Sequence, residues 1–186
     1  MEGDSMRKIN AILALLAALL FFDHAVFGGL LSLGAEIEVK KPIALVLTAV
    51  AAVHGIISLI VTFKKGKNTE RPGASYWKEN LTYWSRRISG IVILLVLLFH
   101  GHAMVIGSDG IRKIDKMQPA GGVINMLLPI SVCIHLLTNV RPMLIALGIR
   151  ITKTKLIVIR ILIIAVCCFA LYGMASKMIS AIPAQH

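Results

Sequence analysis

The sequence predicts an all-α integral membrane bundle of five transmembrane helices, N-terminus inside and C-terminus outside, forming one domain over residues 1–186. Two observations predict the class. The 186 residues are 57% hydrophobic with a mean hydropathy of +0.82, too apolar for a soluble domain. The apolar residues also fall into five runs, at about 10–33, 43–63, 88–107, 123–148 and 156–176, each long enough to cross a bilayer as a helix. Barrel strands are excluded, because they run about ten residues with alternating polarity. A third observation, the placing of the cations, sets the orientation. An inside N-terminus puts thirteen basic residues inside and six outside, with Arg141 left within a span, and the positive-inside rule selects that arrangement. The same rule accounts for the net charge of +11, so nucleic acid is excluded as a partner.

The first run follows Arg7 and Lys8. It is not a cleaved signal peptide: it exceeds an h-region, contains Asp23-His24 and lacks a small-x-small cleavage site. The second run carries His54-Gly55. Segment 64–87 is the longest polar stretch and reads as a loop. No stretch remains for a soluble catalytic domain, so any soluble half-reaction belongs to a partner. The third run is entered through Trp84-Ser85-Arg86-Arg87-Ile88-Ser89-Gly90 and reaches His100-Gly101-His102. The fourth holds Pro129 and Pro142, and proline inside a membrane helix kinks it and frees backbone carbonyls. Between them lie His135 and Arg141, about 9 Å apart along a helix axis. The fifth has no deep ionisable residue and reads as a packing helix. Cys133, Cys167 and Cys168 all sit inside spans, with no CxxC or CxxCH pattern. They read as small apolar residues.

Each of the first four spans carries one deep histidine: His24, His54, His100 and His135. A histidine in lipid must be neutral and partnered, because an unsatisfied polar group there costs several kcal/mol. Depth sorts the four into two layers. His24 lies about 24 Å from Lys8 and His100 about 20 Å from Arg87, both in the outer half. His54 is about 15 Å from Lys64, and His135 is near mid-membrane. The expected pairs are His24 with His100 and His54 with His135. Two pairs in two layers point to two bis-histidine haems, whose closed coordination favours electron transfer over oxygen binding. Gly28, one turn after His24 on the same face, leaves room for a flat macrocycle, although glycine equally serves close helix packing. Arg141 has the reach for a haem propionate or a lipid headgroup. His102 points about 200° away from His100 on a helix and cannot share its iron. It is a propionate or quinone contact, or an interfacial polar residue.

Ser85-Arg86-Arg87-Ile88-Ser89-Gly90, with His100 thirteen residues after Arg87, resembles the Ser-x-x-Arg-Ile-(Ser/Thr)-Gly signature of the membrane anchors of succinate dehydrogenases and fumarate reductases, with one residue in place of two between the serine and Arg87. Five spans with a histidine in each of the first four look like that family's single-chain, two-haem cytochrome b subunit. His135 to Arg141 also resembles its ligand helix. The resemblance covers most of the chain in pattern but only about 84–100 in motif. It implies two b haems and a quinone, menaquinone foremost. It also implies docking on a flavoprotein and an iron–sulfur subunit at the inner face of the cell inner (cytoplasmic) membrane. The dicarboxylate chemistry would then reside on those partners. The departure is the absence of any glutamate within a span; Asp23 is the deep carboxylate here.

Trp84, Ser85, Arg86 and Arg87 are the expected inner contacts for propionates or headgroups, and loop 64–87 with the 149–156 turn is the expected docking surface. Two stacked haems are useful only when electrons cross the membrane, so the quinone is expected near His24 and His100. Glu36, Glu38 and His102 are the candidates to exchange protons there. Two other readings compete: a self-contained two-haem cytochrome of the ascorbate-reducible type, and a haem-free structural anchor.

Overall fold

The computed structural model describes residues 2–35, 41–66, 81–100, 105–106, 112–113 and 119–180. Five helices run through them: α1 (Glu2–Ser32), α2 (Lys41–Gly66), α3 (Leu81–His100), α4 (Pro119–Ala146) and α5 (Lys153–Ser180). Each contains a stretch long and apolar enough to cross a bilayer. Between α3 and α4, β1 (Val105–Ile106) pairs antiparallel with β2 (Arg112–Lys113), Val105 opposite Lys113.

The third helix differs from expectation at both ends. It begins at Leu81 and ends at His100, whereas the apolar run suggests 88–107. Residues 81–87 are therefore helix and not the end of a loop. Their composition explains it: Leu81 to Arg87 contains no glycine or proline, and aromatics and arginines are the residues a membrane helix carries at its interface. At the other end Gly101 follows directly in sequence, and Val105–Ile106 is strand. α1 likewise starts well before residue 10, and α5 before 156, so Arg7, Lys8 and Arg160 lie within helices.

Two helices close on glycines in the left-handed region. After α1, Gly34 has φ 92° and Ala35 N–H donates to Leu30 O at 3.1 Å. After α4, Gly148 has φ 77° and Ile149 N–H donates to Leu144 O at 2.9 Å. Both are the wide closing bond of a glycine-capped helix end, which a β-carbon at that φ opposes.

α1 packs against α2 and α5, and α4 packs against α3 and α5, whereas α2 meets α3 only lightly. The bundle is thus two packed pairs, α1–α2 and α3–α4, tied together along one side by α5. The tie is tight. A β-carbon on Gly173 of α5 would stand 3.0 Å from Gly29 O, and one on Gly29 would strike the Phe169 ring. Small residues let membrane helices approach this closely. The packed core follows the same seam: Val140, Leu144, Ile163 and Cys167 are buried together, with Phe21, Phe22 and Leu136 around them. α2 contributes no buried residue over its apolar span.

Candidate cofactor-binding site

The space between the two helix pairs is a cavity of about 1610 Å³ whose wall includes all four deep histidines. A single small-molecule site occupies roughly 300–1,000 Å³, so this one has room for more than one group. His24 and His100 face each other with ring centroids 6.2 Å apart and planes at 76°. His54 and His135 do the same at 6.4 Å and 83°. These are the pairs that depth along the sequence expects.

The separation tests what such a pair can hold. A metal–imidazole bond of about 2.0 Å, plus about 1.1 Å from nitrogen to ring centre, puts two rings on opposite sides of one metal roughly 6.2 Å apart. Both pairs have that spacing. A bare ion would need about four protein ligands, and among the described residues no group of three or more His, Cys, Asp or Glu gathers. Two opposed imidazoles instead suit a metal that brings its own equatorial ligands, as haem iron does.

Hydrogen bonds hold one ring nitrogen of each histidine. Ser89 Oγ, which also bonds the α3 backbone at Ser85 O and Arg86 O, lies 3.2 Å from His135 Nδ1. Asn125 Oδ1 lies 3.0 Å from His100 Nδ1. Both rings are held at Nδ1, so Nε2 is the nitrogen that would bind a metal, the arrangement that orients a ligating imidazole. Ser89 and Asn125 are 5% and 3% exposed, deep enough that a lost partner would be costly. In α2, His54 Nδ1 is buried without a hydrogen bond among the described residues, with the Asn10 main chain beside its ring. Asn10 is held in turn by Ser58 Oγ, which donates to its Oδ1 at 3.1 Å. Gly90 completes the inner pair: a β-carbon there would stand 3.4 Å from His135 Cε1. At the outer pair, a β-carbon on Gly28 would meet nothing within 4 Å, so one turn beyond His24 the helix face is open.

Basic residues line two adjoining cavities, Arg7 and Arg86 belonging to both. Arg86 Nε donates to Thr138 O at 2.9 Å. That carbonyl is one turn before Pro142, which has no N–H to bond it, so Arg86 satisfies the group the proline releases. The Arg87 guanidinium stacks on the Tyr83 ring, 3.3 Å from its centroid. Arg87 and Trp84 line the large cavity; Tyr83 and Trp84 pack edge to face at 5.5 Å. Ser85 Oγ bonds back to Leu81 O at 2.8 Å and serves its own helix. Arg141 lines the smaller cavity. Glu36, Glu38 and His102 lie outside the described residues.

Comparison with protein-family models, curated proteins and solved structures gives no match. What the chain does is therefore read from its own residues. Ser89 and Asn125, the two partners behind the histidines, were not singled out by sequence. Ser89 had a signal, sitting one turn after Ser85 within the quoted motif. Asn125 had another: it is an amide near the start of an apolar run, one turn before Pro129. Lys177, in the last turn of α5, also lines the large cavity.

Proposed function

We propose that this chain is a two-haem cytochrome b membrane anchor of a succinate:quinone oxidoreductase or quinol:fumarate reductase. In that role it carries electrons between a membrane quinone, menaquinone in our reading, and the iron–sulfur subunit of a soluble flavoprotein module. The observation that carries the reading is the pair of opposed imidazoles in each of two layers, at 6.2 and 6.4 Å. His24 and His100 would hold one haem, His54 and His135 the other. A bound haem would supply a one-electron couple. The chain's own part would be to offer the four imidazoles, orient His135 and His100 through Ser89 and Asn125, and exclude water with the apolar wall.

The layers are well separated. Ser89 backs the inner pair from α3 eleven residues before His100 of the outer pair, about 16 Å of helix. Two sites that far apart span much of a hydrocarbon core of about 30 Å. That spacing supports a path across the membrane, with the soluble partners at the cytoplasmic face near Arg86, Arg87, Lys153 and Lys155, and quinone chemistry toward the His24–His100 end. Glu36, Glu38 or His102 would exchange protons there.

The test is the absorption spectrum of the purified protein. A reduced b-type α-band at two haems per chain is expected. Alanine at His54 or His135 should remove the inner haem, and alanine at His24 or His100 the outer. Two haems per chain in all four variants would overturn the ligand assignment. Co-purifying flavin separates this reading from the ascorbate-reducible type, and cross-links from the partner should reach Lys153 and Lys155.

A further inference from the structure

A second cavity, of about 850 Å³, lies at the end of the bundle that carries the N-terminus. Its wall holds Arg7 and Lys8 of α1, Arg86 of α3, Arg141 of α4 and Arg160 of α5, and among the described residues no carboxylate. Four helices thus deliver five cations to one place. Five cations brought together repel one another, and an anion seated among them offsets that repulsion. The Arg86 bond to Thr138 O fixes one guanidinium at this wall.

We infer that this cavity binds the phosphate headgroup of an anionic membrane phospholipid in the leaflet on the N-terminal side. Three features select a lipid over free phosphate. Leu137, Pro142 and Ile145 share the wall with the cations, a surface suited to a glycerol and the start of an acyl chain. Arg141 and Arg160 are exposed on the flank of the bundle, where lipid would lie. Arg141 is five residues from the end of α4 and Arg160 seven from the start of α5, about 8–10 Å below the helix ends, within reach of snorkelling to headgroup depth. Arg7 and Arg86 also line the histidine cavity, but Lys8, Arg141 and Arg160 line this one alone, so the inference does not rest on the haem reading. Basic pockets between membrane helices are a recognised setting for anionic headgroups.

The experiment reconstitutes the full chain into equimolar phosphatidylcholine–phosphatidylglycerol vesicles, re-extracts it in mild detergent and measures retained lipid by mass spectrometry. The wild-type chain should retain phosphatidylglycerol in preference. The Arg141→Gln/Arg160→Gln double variant should lower that preference about thirtyfold, roughly five- to sixfold per cation. Arg160→Gln alone, at an exposed position, should lower it by the single-cation factor with helix content unchanged by circular dichroism. Arg150→Gln removes the same charge from outside the cavity and should change nothing. Equal retention of the two lipids, or an equal loss in Arg150→Gln, would overturn the site. Displacement of phosphatidylglycerol by millimolar inorganic phosphate would overturn the lipid and leave a free-anion site.

Discussion

Behind the histidines, single polar atoms decide which way each imidazole faces. Asn125 bonds His100 Nδ1 and Ser89 bonds His135 Nδ1, and each partner serves one layer only. The substitutions are therefore expected to be selective. Asn125→Leu keeps the volume and should weaken haem retention in the outer layer 10–100-fold while sparing the inner, the usual scale for losing such a partner. Ser89→Ala should do the reverse. Spectral titration of haem into depleted protein, compared between the two variants, checks this; equal losses in both layers would show that the partners do not act on their own histidines. Gly90→Leu is expected to act like Ser89→Ala, because its side chain would enter the space at His135 Cε1, 3.4 Å from the β-carbon.

α4 is a helix with its bonding deliberately interrupted. Pro129 withdraws the donor for Asn125 O, and Pro142 that for Thr138 O, so the two breaks bracket His135. Arg86 from α3 closes the second, making an arginine of the entry motif a substitute for a backbone N–H. A double-mutant cycle isolates this. Arg86→Gln should destabilise the bundle by about 1 kcal/mol, the order measured for hydrogen bonds between membrane helices. Pro142→Ala restores the donor, and in that background Arg86→Gln should cost much less; equal costs measured by denaturant titration in detergent would refute the link. Some of this was legible in sequence. Both prolines announced freed carbonyls, but nothing in the apolar pattern said that Arg86 sat inside a helix and could reach one. Hydropathy sees where lipid begins, whereas helix continues through Tyr83, Trp84 and the arginines because no residue there breaks it. Gly173→Val is the matching prediction for α5. Its side chain would press on Gly29 O at 3.0 Å and should loosen α5 from α1, read as faster amide exchange at the α5 C-terminal half.

As a whole the molecule is packed along α4 and α5 and hollow between its helix pairs. The number of spans, their order and the two histidine layers could all be read from sequence, since run length and axial rise fix them. The hollow could not, because it depends on which helices fail to touch. α2 packs on α1, but it has no buried residue in its span and little contact with α3, so its cavity side is supported only by what fills the cavity. Haem removal is therefore expected to raise amide exchange in α2 first and most, with α4 and α5 keeping their protection around Cys167 and Leu144. Uniform loss across all five helices would argue that the cavity's contents do not hold the bundle together.

The pairing crosses the chain order: α1 reaches α3, and α2 reaches α4. No hairpin of consecutive spans contains both members of a pair. The outer pair's acceptor, Asn125, moreover sits on α4. During synthesis, then, neither layer can be finished by the first two spans, and the third alone supplies the outer pair without its orienting amide. Both layers become complete only once the fourth span has entered, so loading is expected late and nearly together, after the ribosome has passed α4.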